Sequence, residues 1–184
     1  MKQQSLVRYI LRITLTLLII AIIVGAALAL VNKVTKPVIA QAEADKIQQA
    51  IEQVLPGGYE SQITDYEDPS GLVSKVYKGA NGYAVEVLPS GFDNTITLMV
   101  GIGNDGKVLG ISVVSHTETA GLGAVSASDN AAGRAFRQQF VGQSGAVSVT
   151  KDGGTIDAIT SATVTSRAIC AGVSAALACV AGLD

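Results

Sequence analysis

Between Lys151 and Arg167 the chain reads Lys151-Asp152-Gly153-Gly154-Thr155-Ile156-Asp157-Ala158-Ile159-Thr160-Ser161-Ala162-Thr163-Val164-Thr165-Ser166-Arg167, and these residue types suit the holding of a phosphate. Gly153 and Gly154 permit positive φ and a close approach of backbone to ligand. Six hydroxyl groups follow between Thr155 and Ser166. The last of them fall where a small-residue helix begins, so free backbone N–H groups and the positive end of the helix dipole lie beside them. An anion is stabilised there without many Lys or Arg side chains. The competing reading is a Ser/Thr-rich turn that only caps the helix.

A second stretch, Ser115-His116-Thr117-Glu118-Thr119-Ala120-Gly121-Leu122-Gly123, is a polar loop at the end of a strand, a common place for sites. His116 is the only histidine, which excludes a multi-histidine metal centre. Taken alone, His116 reads as a hydrogen-bonded loop residue and Glu118 as a solvated charge. One histidine among many Ser and Thr does not identify a hydrolase. Cys170 and Cys179 sit nine positions apart on one helix, roughly 13 Å along its axis and on opposite faces, beyond disulfide reach. Neither lies in a Cys-x-x-Cys motif, so an iron–sulfur cluster, a redox disulfide and a c-type haem have no support. A net charge of −2 with 4% aromatic residues gives a nucleic-acid partner no electrostatic basis.

These stretches need a scaffold, and the sequence supplies one of class α+β. Residues 1–12 form a short amino-terminal segment, followed by the uncharged apolar run Ile13–Val31, long enough as a helix to cross roughly 30 Å of hydrocarbon. That run is too long for the apolar core of a cleaved signal peptide. Lys2, Arg8 and Arg12 precede it and Lys33 and Lys36 follow, a bias that favours an inside amino terminus and an extracytoplasmic domain. Residues 32–58 are a stem helix and linker, with Ile47, Ile51, Val54 and Leu55 at helical spacing and Pro56-Gly57-Gly58 as the stop.

Residues 59–184 form one domain with an antiparallel sheet packed by helices. Strands are expected at 72–78 and 83–88, where Val85 and Val87 alternate with Glu86. A hairpin spans Thr95–Val114 around Asn104-Asp105-Gly106. Gly101-x-Gly103-x-x-Gly106 inside it mimics a dinucleotide-binding pattern, but a strand follows where that motif needs a helix. Ala131–Val141 is a helix with Phe136 and Phe140 on one packing face, and Ala146–Thr150 a short strand. From about Val164 a closing helix turns Ile169, Val173, Leu177 and Val180 toward the core; its apolar composition also admits a second membrane span.

With both loops and the hairpin in view, the chain resembles the G subunit of the Rnf electron-transport complex, within the FMN-binding domain family that includes the C subunit of the sodium-translocating NADH:quinone reductase. The likeness spans nearly the whole chain. Asp157-x-x-Thr160-Ser161-Ala162-Thr163 looks like the flavinylation signature Asp-x-x-Ser/Thr-Gly-Ala-Thr, in which a flavin transferase esterifies the phosphate of FMN to the final threonine. The resemblance implies that Thr163 carries FMN as a phosphoester and that Asp157 helps to present the segment. It also implies that Glu118, Thr119, Leu122 and Gly123 line the flavin with His116 nearby. Lys151, Gly153, Gly154, Thr160, Ser161, Ala162 and Thr165 would surround the phosphate and ribityl chain.

Three positions depart from the family pattern: Ala120 stands for Pro, Ser161 for Gly, and Ser166 for an occasional Pro. Ser161 implies a backbone that does not need strongly positive φ, unless strain is tolerated. The function implied is a membrane-anchored electron carrier in a complex that couples ferredoxin oxidation and NAD⁺ reduction to ion movement, with other membrane subunits as partners. The alternatives are the quinone-reductase subunit, a membrane-tethered ligand-binding or sensory module, and a purely structural subunit.

Overall fold

The computed structural model describes residues 2–183, with side-chain environments from Arg8 onward. Contacts divide the chain into two units at Asp45/Lys46.

From Lys2 the first unit is helical and belongs to α1 (Lys2–Val54), which runs through both the expected anchor and the expected stem. The boundary expected near residue 32 is therefore not a break. Pro37 lies inside the helix. The large apolar side chains from Ile13 to Val31 are all exposed, including Leu17, Ile20, Ile23 and Leu28. A helical stretch that is apolar on every side, with its described side chains exposed, has hydrocarbon as its natural solvent. The protein is membrane-anchored.

The second unit contains a five-stranded antiparallel sheet whose spatial order, β1 (Ser61–Ile63), β2 (Val73–Gly79), β3 (Gly82–Val87), β4 (Thr97–Gly103) and β5 (Val108–Ser115), follows chain order. α2 (Ala131–Gln138) and α3 (Thr163–Ala181) follow, with single 3₁₀ turns at Gly123–Ala127 and Thr150–Asp152. The β4–β5 hairpin turns at Gly106, whose φ of +72° suits glycine. A strand returns after it, so the Gly101/Gly103/Gly106 pattern is no dinucleotide site. Gly101 serves packing instead: a Cβ there would lie 2.1 Å from the Val54 carbonyl oxygen.

That contact shows how the sheet is covered. Ala50, Ile51, Val54 and Leu55, at the end of α1, pack on Tyr77, Ala84 and Met99 of one sheet face. Val85, Val87, Leu98 and Val100 of the other face meet Ile169, Val173 and Leu177 of α3, with Phe136 and Phe140 in edge-to-face contact at 5.3 Å. Every residue of β3 is consequently buried, including Glu86, which the alternating pattern marks as solvent-facing; it is paired with Lys75 across the strand at 3.4 Å. A strand buried on both faces loses the alternation that a one-sided strand displays.

Two further expectations are corrected. Residues 146–150 form no strand; Val149 makes only an isolated parallel bridge to Ile156. α2 ends at Gln138, so Phe140 lies beyond it. α3 is buried on most of its circumference, which explains why Cys170 and Cys179, on opposite faces, are both buried and free. Only a narrow stripe, with Val164 and Arg167 among its members, reaches solvent.

Candidate functional site

The Lys151–Arg167 stretch folds as a bent loop feeding α3, and Thr163 is the first residue of that helix. The residue before it, Ala162, has no side chain able to cap the helix, and no side-chain cap bond is made. Its first-turn N–H groups are thus without a side-chain cap, beside the cleft that Thr163, Val164 and Thr165 line. The hydroxyls are divided among three tasks. Ser166 Oγ donates to the Ala162 carbonyl and accepts from Ile159 N–H, bracing the loop. Thr165, 1% exposed, gives its hydroxyl to Glu118. Thr163, half-buried, receives Lys151 Nζ at 3.4 Å.

Ser161 is the one non-glycine residue with positive φ among the described residues, at 61°. The loop does take a left-handed conformation at this position, and a serine adopts it.

The Ser115–Gly123 loop comes alongside. Phe92, Glu118, Thr119, Leu122, Gly123, Ser161, Ala162, Thr163, Val164 and Thr165 enclose a cleft of about 270 Å³. Phe92, Leu122 and Val164 give it an apolar wall and are themselves largely exposed, Phe92 at 71%. Its lining also includes polar groups, with the Thr163 hydroxyl near the Lys151 ammonium. Arg167 is not free to join them, because Asp152 holds its guanidinium through two hydrogen bonds of 2.6 Å. The hydrogen bonding of that guanidinium also keeps the exposed Asp152 carboxyl below its ordinary value.

Glu118, only 7% exposed, is the hub. Its Oε1 accepts from the backbone N–H of Phe92 at 2.8 Å and of Asp93 at 3.2 Å, and its Oε2 takes the Thr165 hydroxyl. A Cβ on Gly123 would come within 2.3 Å of Oε2, and one on Gly91 within 2.3 Å of Oε1. Both glycines are needed to house the carboxylate.

The cleft thus gathers Glu118, Thr119, Leu122, Gly123, Ser161, Ala162, Thr163 and Thr165, with Lys151 at its edge. Other expected residues stand elsewhere. Asp157 and Thr160 face a second cleft of about 340 Å³, with Gly121, Phe136 and Gln139. Gly153 has φ +84°, but Gly154 does not serve ligand approach: a Cβ there would lie 2.0 Å from the Ser148 carbonyl oxygen, so its bareness serves internal packing. His116 is half-buried with an unpartnered Nδ1 and does not line the cleft. Phe92 and Val164 were missed. Val164 lay within reach of a helical projection from Thr163, whereas nothing local marks Phe92, which the fold brings from 71 positions upstream of Thr163.

A profile of the FMN-binding domain matches residues 91–178, and one of the RnfG N-terminal region matches residues 1–54. The G subunit of the ion-translocating oxidoreductase complex of Methanosarcina acetivorans is 31% identical over 169 residues, covering 86% of this chain and 87% of that protein. The chain belongs to the G-subunit family of ion-translocating (Rnf) oxidoreductase complexes. The G subunit of the Na⁺-translocating ferredoxin:NAD⁺ oxidoreductase complex of Acetobacterium woodii is 29% identical, over 91% of this chain and 89% of that one. The proton-translocating counterpart of Clostridium ljungdahlii is 34% identical, over 90% and 88%. Membership makes this chain a flavoprotein that works with other subunits of a multisubunit complex.

The cleft residues fit FMN. The apolar wall of Phe92, Leu122 and Val164 suits a flat aromatic ring, while the uncapped start of α3, the Thr163 hydroxyl and Lys151 suit a phosphate.

Proposed function

We propose that this subunit carries FMN covalently, as a phosphoester on Thr163, and passes electrons within a ferredoxin:NAD⁺ oxidoreductase complex that moves an ion across the membrane. The observation that carries the reading is the place of Thr163: the first residue of an uncapped helix, at a cleft with an apolar wall, its hydroxyl 3.4 Å from the Lys151 ammonium. Phosphoester formation needs an oxygen nucleophile on an accessible side chain, and Thr163 is half-buried, whereas Thr165 is enclosed and committed to Glu118. A flavin transferase supplies the flavin phosphate from a flavin–nucleotide pyrophosphate: the Thr163 oxygen bonds to the FMN phosphorus as the pyrophosphate P–O bond breaks, the nucleoside monophosphate leaves, and the hydroxyl proton is released.

The flavin supplies reversible electron uptake. The chain's own residues need only bind, orient and shield. Lys151 and the first N–H groups of α3 would hold the phosphate charge, Phe92, Leu122 and Val164 would shield the ring from water, and Glu118 joins the three segments that form the cleft. The domain lies on the extracytoplasmic side, which the charge bias around the anchor favours. A tether there prevents loss of the cofactor to bulk. The relatives from Acetobacterium woodii and Clostridium ljungdahlii bear names specifying different ions, so choice of ion resides outside features this chain shares with both.

The test is intact mass and in-gel flavin fluorescence of denatured protein co-produced with a flavin transferase. Wild type gains the mass of one esterified FMN, and its fluorescence survives denaturation; Thr163→Ala shows neither. An unmodified wild type beside an active transferase, or a modified Thr163→Ala, would overturn the assignment.

A further inference from the structure

The carboxylate of Glu118 is buried beside the cleft and has no cation. None of the ion pairs among the described residues includes it. Lys151, the cation that reaches the cleft, is directed at Thr163. Burial of a carboxylate without a counter-charge is costly, because backbone and hydroxyl dipoles compensate only part of the lost hydration. The fold nevertheless commits several positions to it. Phe92 and Asp93 give N–H groups, Thr165 gives a hydroxyl, and Gly91 and Gly123 leave the space. A role limited to bracing would be met by a neutral amide of the same shape. The Thr165 hydroxyl can turn to accept from an amide NH₂, and the two backbone N–H groups can donate to its oxygen.

What a glutamine cannot provide is a fixed negative charge in a low-dielectric wall of the cleft. We propose that Glu118 sets the reduction potential of this subunit, holding it low by opposing the arrival of electrons in the cleft. The inference rests on the flavin occupying that cleft. An electron added to a group near a buried anion meets repulsion that solvent screens only in part, so the oxidised form is favoured. For two unit charges ~10 Å apart at an effective dielectric of ~20, Coulomb's law gives about tenfold or somewhat more in the ratio of oxidised to reduced carrier at a given applied potential.

The residue that lends its hydroxyl to Oε2 provides a second handle. Removing the Thr165 hydroxyl leaves the charge in place and withdraws one of the dipoles that offset it. The two substitutions therefore move the potential in opposite directions, whereas loss of bracing alone would weaken the fold in both without that opposition.

The experiment is a potentiometric titration of the full-length flavinylated protein in detergent, with dithionite as reductant and ferricyanide as oxidant. Wild type, Glu118→Gln and Thr165→Val are compared, with covalent flavin confirmed in each by intact mass. Glu118→Gln is expected to titrate at a more positive potential, by an amount equal to about a tenfold change in that ratio. Thr165→Val is expected to titrate at a more negative one. Unchanged potentials in flavinylated variants, or shifts of the same sign in both, would overturn the proposal. If Glu118→Gln does not fold, the sign of the Thr165→Val shift decides alone. A wild type that carries no flavin would instead refute the cofactor assignment, a separate failure.

Discussion

Replacing Ser161 by glycine should stabilise the protein. Ser161 has φ 61°, a left-handed conformation in which the Cβ of an L-residue crowds the following carbonyl. That crowding costs about 1–2 kcal/mol. Glycine removes it but brings a more flexible unfolded chain, which returns about 0.5–1 kcal/mol. The net expectation is about 0.5–1 kcal/mol in favour of Ser161→Gly. The Ser161 side chain makes no hydrogen bond to another described residue that would be forfeited, so Ser161→Ala, which keeps the Cβ, should stay within about 0.5 kcal/mol of wild type. For a chain of this size, 1 kcal/mol moves Tm by about 2–4 °C. The assay is thermal unfolding followed by near-ultraviolet circular dichroism on all three proteins in the same detergent. A Ser161→Gly protein that melts with or below Ser161→Ala would refute the strain argument. Because Ser161 immediately precedes Ala162 and the start of α3, the glycine variant should also be flavinylated at least as completely as wild type by intact mass.

Three other expectations come from the same geometry. Gly123→Ala puts a Cβ 2.3 Å from Glu118 Oε2 and 2.6 Å from Thr165 Oγ1, and should lower stability by about 1–3 kcal/mol in urea unfolding; an unchanged midpoint would show that the carboxylate is less confined than described. Phe140→Ala empties a site that is 0% exposed beneath the sheet and should cost about 3–5 kcal/mol, read as lost near-ultraviolet dichroism at temperatures where wild type stays folded. Burial pushes the Cys170 thiol from 9.0 up to about 11 and the Tyr77 phenol from 10.0 up to about 12. The unfolded chain therefore releases these protons first, and stability should fall as pH rises above about 9 and on through about 12, with Cys170→Ala removing the earlier part of the decline. A stability flat from pH 8 to 11 would contradict the burial of both groups.

Much of this architecture was legible in the sequence because it rests on local pattern. The β4–β5 hairpin announces itself through β-rich arms around Asn104-Asp105-Gly106, and α3 through Ile169, Val173, Leu177 and Val180 at helical spacing. Thr163 at the start of that helix follows from the same periodicity. What escaped was set by distant parts of the chain. Glu86 looks solvent-facing until the end of α1 covers its sheet face, and residues 146–150 have strand-like composition but no strand beside them to complete a ladder. The end of the apolar run at Val31 suggested separation of anchor and stem, yet one helix continues past it and through Pro37. The confinement of Glu118 between Phe92 and Thr165 depends on two loops meeting the first turn of α3, and no spacing within any one of the three segments encodes it. Asp157 and Thr160 share a motif with Thr163 but face a different cleft, because the bend at Ser161 turns the chain between them.

The sequential order of the five strands has a temporal consequence. Each strand pairs with its immediate chain neighbour, so the sheet assembles by closing short loops, a rapid process with a small entropic barrier. The cleft is of another kind: the bond from Thr165 to Glu118 spans 47 positions, and α3 leaves the ribosome after every strand. The strands thus emerge before α3, and until α3 docks there is an interval in which the threonine segment is an open stretch of chain. Docking of α3 ends that interval and turns Thr163 from a freely approachable side chain into part of a wall. On the attachment proposed for Thr163, a slower-docking chain would leave a modifying enzyme more time.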